Sequence, residues 1–178
     1  FAGVALLILV TDGPPIMFRQ SRSGFKGRVF FVNKFRTMDS TRDEAGELLS
    51  DARRTTRLGR VLRVTRIDEL PQLWSVLIGE MSLVGPRPLL PETVEHAGER
   101  GSVRSLVRPG ITGWAQVNGN ALLSDADKIA LDCWYVANRS WALDFLIICR
   151  TVTVILKGER VDAAAIRNAY ASSSYRSG

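Results

Sequence analysis

Apolar and polar positions mark out the elements of this chain. Phe1 to Val10 is a continuous apolar run, about half of the ~20 residues a membrane-spanning helix needs, which places it with core, re-entrant or interfacial segments. Asp12-Gly13-Pro14-Pro15 breaks it. Because the chain opens at Phe1 inside that run, the natural protein is expected to begin further upstream. Ile16 to Arg22 and Arg28 to Met38 are rich in Phe and Val and flank the glycine loop Ser23 to Gly27, which predicts a β-hairpin. Asp39 to Arg54, with alternating charge around Leu48, Leu49 and Ala52, is expected to be helical. So is Glu69 to Ile78, through Leu70, Leu73, Trp74 and Leu77.

Gly79 to Pro91 and Arg108 to Gly119 are turn-rich. Ser124 to Asn138 opens with the capping box Ser124-x-x-Asp127 and carries Ile129, Cys133, Trp134, Val136 and Ala137 at helical spacing. Trp141 to Leu156 is the second strongly apolar segment, interrupted by Asp144 and Arg150. Each such charge costs ~2.5–3.5 kcal/mol near a bilayer centre. An amphipathic helix lying on a membrane, or packed on the core, therefore suits it better than a span. From residue 161 to 178 the chain turns small and polar and is expected to be a disordered tail. The pattern predicts an α+β fold, mainly helical with a small β-hairpin and helices lying at the membrane plane. Residues 13–160 are expected to form one domain.

The balance of 46% hydrophobic and 24% charged residues is that of a folded protein. A formal net charge of +6 points to an anionic partner. With only Cys133, Cys149 and His96, a Cys/His zinc site of four ligands is excluded. The two cysteines lie in apolar stretches and are expected to be buried free thiols. No glycine-rich dinucleotide or P-loop pattern is present.

The charge is concentrated. Thirteen of the 24 basic residues lie between Arg19 and Arg66, and six arginines fall within Arg53 to Arg66 with no acid among them. Arg57, Arg60, Arg63 and Arg66, three apart, are expected on one helical face. Arginine forks match phosphate oxygens in pairs. The cluster runs into Asp68-Glu69, whose ionised forms those cations are expected to favour. An ionised aspartate can act as a carboxylate nucleophile, and Mg²⁺ is commonly held by one or two carboxylates plus substrate phosphates. The same acids also suit a helix start, followed by Pro71.

Four separated stretches carry a resemblance: Lys34-Phe35-Arg36-Thr37-Met38, Ile67-Asp68-Glu69-Leu70-Pro71-Gln72-Leu73, Met81-Ser82-Leu83-Val84-Gly85-Pro86-Arg87-Pro88 and Val107-Arg108-Pro109-Gly110-Ile111-Thr112-Gly113. In this order they resemble the bacterial sugar transferase family, the monotopic polyprenyl-phosphate phosphoglycosyl transferases. The resemblance implies transfer of a phosphosugar from a nucleotide diphosphate sugar, usually a uridine one, to polyprenyl phosphate. UMP is released and assembly of a surface glycan begins. It implies Asp68 as nucleophile, Glu69 as Mg²⁺ ligand, and Arg63, Arg87 and Arg108 as phosphate-binding residues. Residues 1–12 resemble the returning half of the family's re-entrant membrane helix. The implied location is the cytoplasmic face of the bacterial inner membrane, without a nucleic-acid partner. Whether the chain forms a homo-oligomer stays open. One departure follows Gly119, where many relatives insert an arginine before Asn120. Two other readings stay open beside the transferase: a hydrolase in which water resolves the aspartyl intermediate, and a basic module that binds RNA or acidic lipid.

Overall fold

The computed structural model describes residues 1–174. They divide into two compact units, one of Phe1–Gln20 with Val32–Leu73, the other of Ser21–Phe31 with the chain from Trp74 onward.

In the first unit, α1 (Ala2–Thr11) closes where the Asp12 amide donates to the Ile8 carbonyl. Its next three carbonyls are gathered by one guanidinium. Nη2 of Arg36 donates to the Asp12 oxygen at 2.6 Å and the Gly13 oxygen at 2.5 Å, and Nη1 to the Pro14 oxygen at 2.9 Å. A cation at a helix C-terminus satisfies orphan carbonyls and meets the negative dipole end. Ile8 is fully buried with Phe35 and Leu62, and Val4, Ala5, Ile16, Leu58 and Ile67 pack around them. Leu6, Leu7, Leu9 and Val10 of the same helix stay exposed.

The predicted hairpin forms from β1 (Met17–Ser23) and β2 (Val29–Phe35), an antiparallel pair joined through a short 3₁₀ turn at Phe25–Gly27. Its base belongs to the first unit and its tip to the second.

The helix expected over Asp39 to Arg54 is not there. Only its last turn, α2 (Asp51–Arg54), is helical. Asp39 and Asp43 explain why. Oδ1 of Asp39 accepts from the Thr41 amide and hydroxyl, and Oδ1 of Asp43 from the Ala45 and Glu47 amides. Aspartate side chains that capture nearby amides compete with helix. An isolated bridge, Arg42 to Leu48, then closes a small loop.

Next, α3 (Arg57–Val64) is capped by the Thr56 hydroxyl, which accepts from the Gly59 amide at 2.8 Å. Arg57, Arg60 and Arg63 ride on this helix, but Arg66 does not. Arg66 lies past its end in a left-handed conformation, φ 58°, so the four-arginine face holds only three. Beyond the 3₁₀ turn Ile67–Glu69, α4 (Gln72–Leu77) carries the chain from the first unit into the second.

The second unit is built around β3 (Ser82–Val84) and β4 (Gly110–Thr112), two short strands in parallel register, Ser82 to Gly110 and Val84 to Thr112. Between them run α5 (Pro91–His96) and α6 (Gly98–Arg104). After β4 come α7 (Trp114–Val117), α8 (Asp125–Asn138), α9 (Trp141–Lys157) and α10 (Ala163–Ser174). The core gathers Val84, Val107, Trp114, Ala115, Val117, Leu131, Tyr135 and Ile147. Trp114 and Trp134 stack with ring centroids 5.2 Å apart.

The α8 capping box forms as expected: the Ser124 hydroxyl accepts from the Asp127 amide at 3.1 Å. Of the expected α8 stripe, Ile129 is buried and Trp134 and Val136 pack partly buried against the core, while Ala130, Leu131, Asp132 and Tyr135 are buried beyond it. Cys133 is half-buried and Cys149 exposed, so only the free state of the two thiols follows the expectation. Nor is Ala163 to Ser174 a disordered tail. Oδ1 of Asp162 accepts from the Ala164 and Ala165 amides and so starts α10, whose Ala165 and Ala169 are buried in the core. Alanine is the strongest helix former. Residues 175–178 of the expected tail lie outside the described residues.

Candidate active site

The first unit brings Asp68, Glu69 and Arg63 together around Lys34. The two acids occupy the tight turn between α3 and α4, entered through Arg66. A left-handed arginine costs roughly 1–2 kcal/mol, and such strain concentrates at functional sites. Both carboxylates are buried, Asp68 to 7% exposure and Glu69 to 6%. Nζ of Lys34, on β2, donates to Oε1 of Glu69 at 2.6 Å. Asp68 fares differently. Its Oδ1 is buried with no hydrogen-bond partner among the described residues.

That asymmetry corrects one expectation. The arginine run was expected to favour ionised Asp68, yet its carboxyl is held above the ordinary aspartate value. Burial is the main cause and the negative Glu69 beside it the second; Lys34, Arg66 and Arg63 pull the other way and lose. Desolvation outweighs cations that sit partly in water.

Arg63 is held on α3 by two threonines. Its Nε donates to Oγ1 of Thr37 at 2.9 Å and its Nη1 to Oγ1 of Thr55 at 3.3 Å. Gly59, one turn earlier, makes this approach possible. A Cβ there would lie 2.0 Å from the Thr37 carbonyl oxygen, so only glycine lets α3 sit against that strand end.

Arg87 and Arg108 belong to the second unit, on two turns whose backbones touch. The Gly85 amide donates to the Thr112 carbonyl and the Gly110 amide to the Pro86 carbonyl, each at 2.9 Å. Gly110 is obligatory, because a Cβ would come within 2.1 Å of the Gly85 nitrogen. The Gly-Pro-Arg-Pro and Arg-Pro-Gly stretches are therefore one interlocked structure. Half-buried Arg22 lies near Arg87. Burial first and that like charge second lower its pKa from the ordinary arginine value.

Sequence reasoning gave no role to Lys34 or Arg22, and it placed Arg66 on the helical face of α3. Lys34 was readable: it shares the parity of Phe30 and Val32, the inward-facing residues of β2. No sequence signal marks the left-handed Arg66.

Among the described residues no three His, Cys, Asp or Glu side chains converge as a metal cage. The Glu69 carboxylate, adjacent to Asp68, fits Mg²⁺ in another mode, in which one or two carboxylates share the ion with substrate phosphates. After Gly119 no added arginine appears; Asn120 Nδ2 and the Ala121 amide are instead bound by the Glu159 carboxylate.

Residues 1–158 match the family described as bacterial sugar transferase. The uncharacterized sugar transferase EpsL of Bacillus subtilis is 49% identical, over 84% of this chain and 74% of its own length. The undecaprenyl-phosphate glucose phosphotransferase of Komagataeibacter xylinus is 44% identical over 84% of this chain and 31% of its own length. The UDP-N-acetylgalactosamine-undecaprenyl-phosphate N-acetylgalactosaminephosphotransferase of Aeromonas hydrophila is 43% identical, over 86% of this chain and 38% of its own. The chain thus spans only about a third of the last two relatives.

Proposed function

Because the chain belongs to the bacterial sugar transferase family, we propose that it transfers a phosphosugar from a UDP-sugar to polyprenyl phosphate, the first step in building an exopolysaccharide or lipopolysaccharide. One observation carries the reading: a buried aspartate with an unpartnered oxygen, set beside a glutamate already matched to a lysine. Most buried side-chain oxygens are hydrogen-bonded; this one has no partner among the described residues, and it lies beside a second carboxylate. An oxygen left without a partner, in a turn lined by Lys34, Arg63 and Arg66, suits attack on phosphorus.

In this mechanism the Asp68 oxygen attacks the sugar-bearing phosphorus of the donor. The bond from that phosphorus to the uridylate oxygen breaks, UMP leaves, and an aspartyl phosphosugar remains. A phosphate oxygen of the lipid then attacks the same phosphorus and restores Asp68. Arg63, fixed by Thr37 and Thr55, binds phosphate beside Asp68; Arg87 and Arg108 are phosphate-binding residues of the second unit. Glu69 would hold Mg²⁺, which when bound neutralises charge on the diphosphate. The raised pKa of Asp68 keeps its oxygen a strong base once ionised.

The partners are the nucleotide sugar, the polyprenyl phosphate and the cytoplasmic face of the inner membrane. No helix among the described residues is long and apolar enough to cross a membrane. The exposed apolar residues of α1 and α9 suit an enzyme that meets its lipid from one side.

The test incubates purified protein with UDP-sugar and Mg²⁺, with and without polyprenyl phosphate. A phosphosugar adduct on the peptide of residues 66–73, discharged on adding lipid, is the expected result. UMP release indifferent to lipid would instead mean hydrolysis.

A further inference from the structure

Arg104 ends α6 and is 3% exposed; Asp132, on α8, is 2% exposed. Nε and Nη2 of Arg104 both donate to Oδ2 of Asp132, at 3.0 and 2.8 Å. Charges buried this deeply are costly to fold, and an apolar pair of the same volume is often as stable or more so. A need for stability alone therefore does not account for the pair.

Its geometry supplies another account. Nη2 of Arg104 also donates to the backbone carbonyl of Arg87. That carbonyl sits in the Gly85-Pro86-Arg87-Pro88 turn, where Pro86 and Pro88 supply no amide to hold it in place. The turn is tied to β4 on its N-terminal side by the Gly85 amide and the Pro86 carbonyl. Arg104 fixes it at Arg87 itself, the residue proposed above to bind phosphate. Asp132 in turn anchors Arg104, whose Nε and Nη2 are both held by its Oδ2.

We propose that Arg104, held by Asp132, is a positioning residue that sets the peptide of Arg87, and through it the arginine's grip on the donor diphosphate. This rests on the phosphosugar transfer proposed above and on Arg87 binding phosphate. Arg104 touches no substrate. Without it, Arg87 keeps its charge but loses its fixed base, so donor binding suffers more than turnover.

The experiment measures donor KM, kcat and melting temperature for the wild-type chain, Arg104→Lys, the pair Arg104→Met with Asp132→Leu, Arg87→Ala, and each Arg104 variant combined with Arg87→Ala. The apolar pair is the decisive variant, because it removes the donation to Arg87 without leaving a buried charge unmatched. A lost charge-assisted hydrogen bond predicts a donor KM raised roughly tenfold or more with kcat within about threefold. In the Arg87→Ala background the same change should add nothing, the sign of two residues acting as one. The proposal is overturned if the folded apolar pair binds donor like wild type, if its effect adds to that of Arg87→Ala, or if Arg87→Ala leaves KM unchanged. Failure of both Arg104 variants to fold would make the pair structural only and overturn it as well. A wild-type chain without transfer activity would refute the function itself, a separate outcome.

Discussion

Lys34 and Glu69, 35 residues apart in the chain, meet at 2.6 Å, beside an Asp68 carboxyl on which Glu69 acts as a raising charge and Lys34 as a lowering one. With Glu69 matched, Asp68 is the acid whose oxygen lacks a partner. Lys34→Met would leave Glu69 buried without this cation. A hydrogen bond to a charged group is worth ~1.5–3 kcal/mol, and at this chain length each kcal/mol lowers Tm by ~2–4 °C. Thermal unfolding of Lys34→Met should therefore show a fall of several degrees. An unchanged Tm would mean that the pair contributes nothing.

Asp68→Asn should do the reverse to stability while abolishing the phosphosugar adduct. Burial and Glu69 raise the folded-state pKa of Asp68, so the folded chain holds that proton more tightly than the unfolded one. Ionising Asp68 thus lowers stability as pH rises above the unfolded value of about 4. Asparagine carries no charge to bury. In EDTA at pH 7 its Tm should equal or exceed that of wild type, and the difference should close as pH falls to 4. A lower Tm at pH 7 would contradict the assigned burial.

Gly59→Ala tests the packing beneath Arg63. The new Cβ would meet the Thr37 carbonyl at 2.0 Å, so α3 must move and take Arg63 from Oγ1 of Thr37. Overpacking of this kind costs ~1–3 kcal/mol. Thr37→Val removes the same acceptor without moving the helix. Both variants should raise donor KM, but only Gly59→Ala should lower Tm markedly. Equal Tm losses would place the effect in Thr37 itself.

These residues also show which parts of the structure the sequence makes legible. The hairpin, α8 and α9 follow from alternation, a capping box and apolar spacing, all local signals. The Asp39 to Ser50 loop was misread because its charges sit at helical intervals, while two aspartates spend their oxygens on local amides. At the other end, Asp162 and a run of alanines were overlooked behind the serines that follow. The dyad and its arginines were assigned by resemblance to a motif. The order of the site's electrostatics was not, because burial is a tertiary quantity: a string of cations in sequence gives no measure of how much water a fold removes from Asp68. The Arg104–Asp132 pair was hidden likewise, although an acid inside the apolar stripe of α8 was there to be seen.

The thiols offer a pH-dependent check on the second unit. Burial first, then the adjacent Asp132, push Cys133 up to about 11, whereas Cys149 is exposed on α9. The reactive species is the thiolate. Iodoacetamide at pH 7.5 should therefore modify Cys149 and spare Cys133, and the Cys133 rate should rise about tenfold per pH unit toward its pKa. Peptide mass mapping reads both sites. Rapid modification of Cys133 at neutral pH would show that α6 and α8 open more than their packing implies.

The last prediction concerns α9, which is apolar on two sides. Leu143, Ile147 and Val154 pack into the core, and Thr151 and Arg150 bind Thr112 and Asn118. Trp141, Phe145, Val152 and Leu156 form a second stripe with exposures of 91%, 68%, 54% and 77%. The core-packed alternative read from the sequence holds for one face of this helix, and the other face is left exposed. Burying one large apolar side chain is worth ~1.5–3 kcal/mol. Phe145→Glu with Val152→Glu should weaken binding to anionic vesicles more than tenfold in a sedimentation assay, and leave Tm unchanged because neither side chain supports the core. Ile147→Glu, on the packed face, should unfold the second unit. If the double variant sediments with vesicles as wild type does, the outer face of α9 is not the surface that meets lipid.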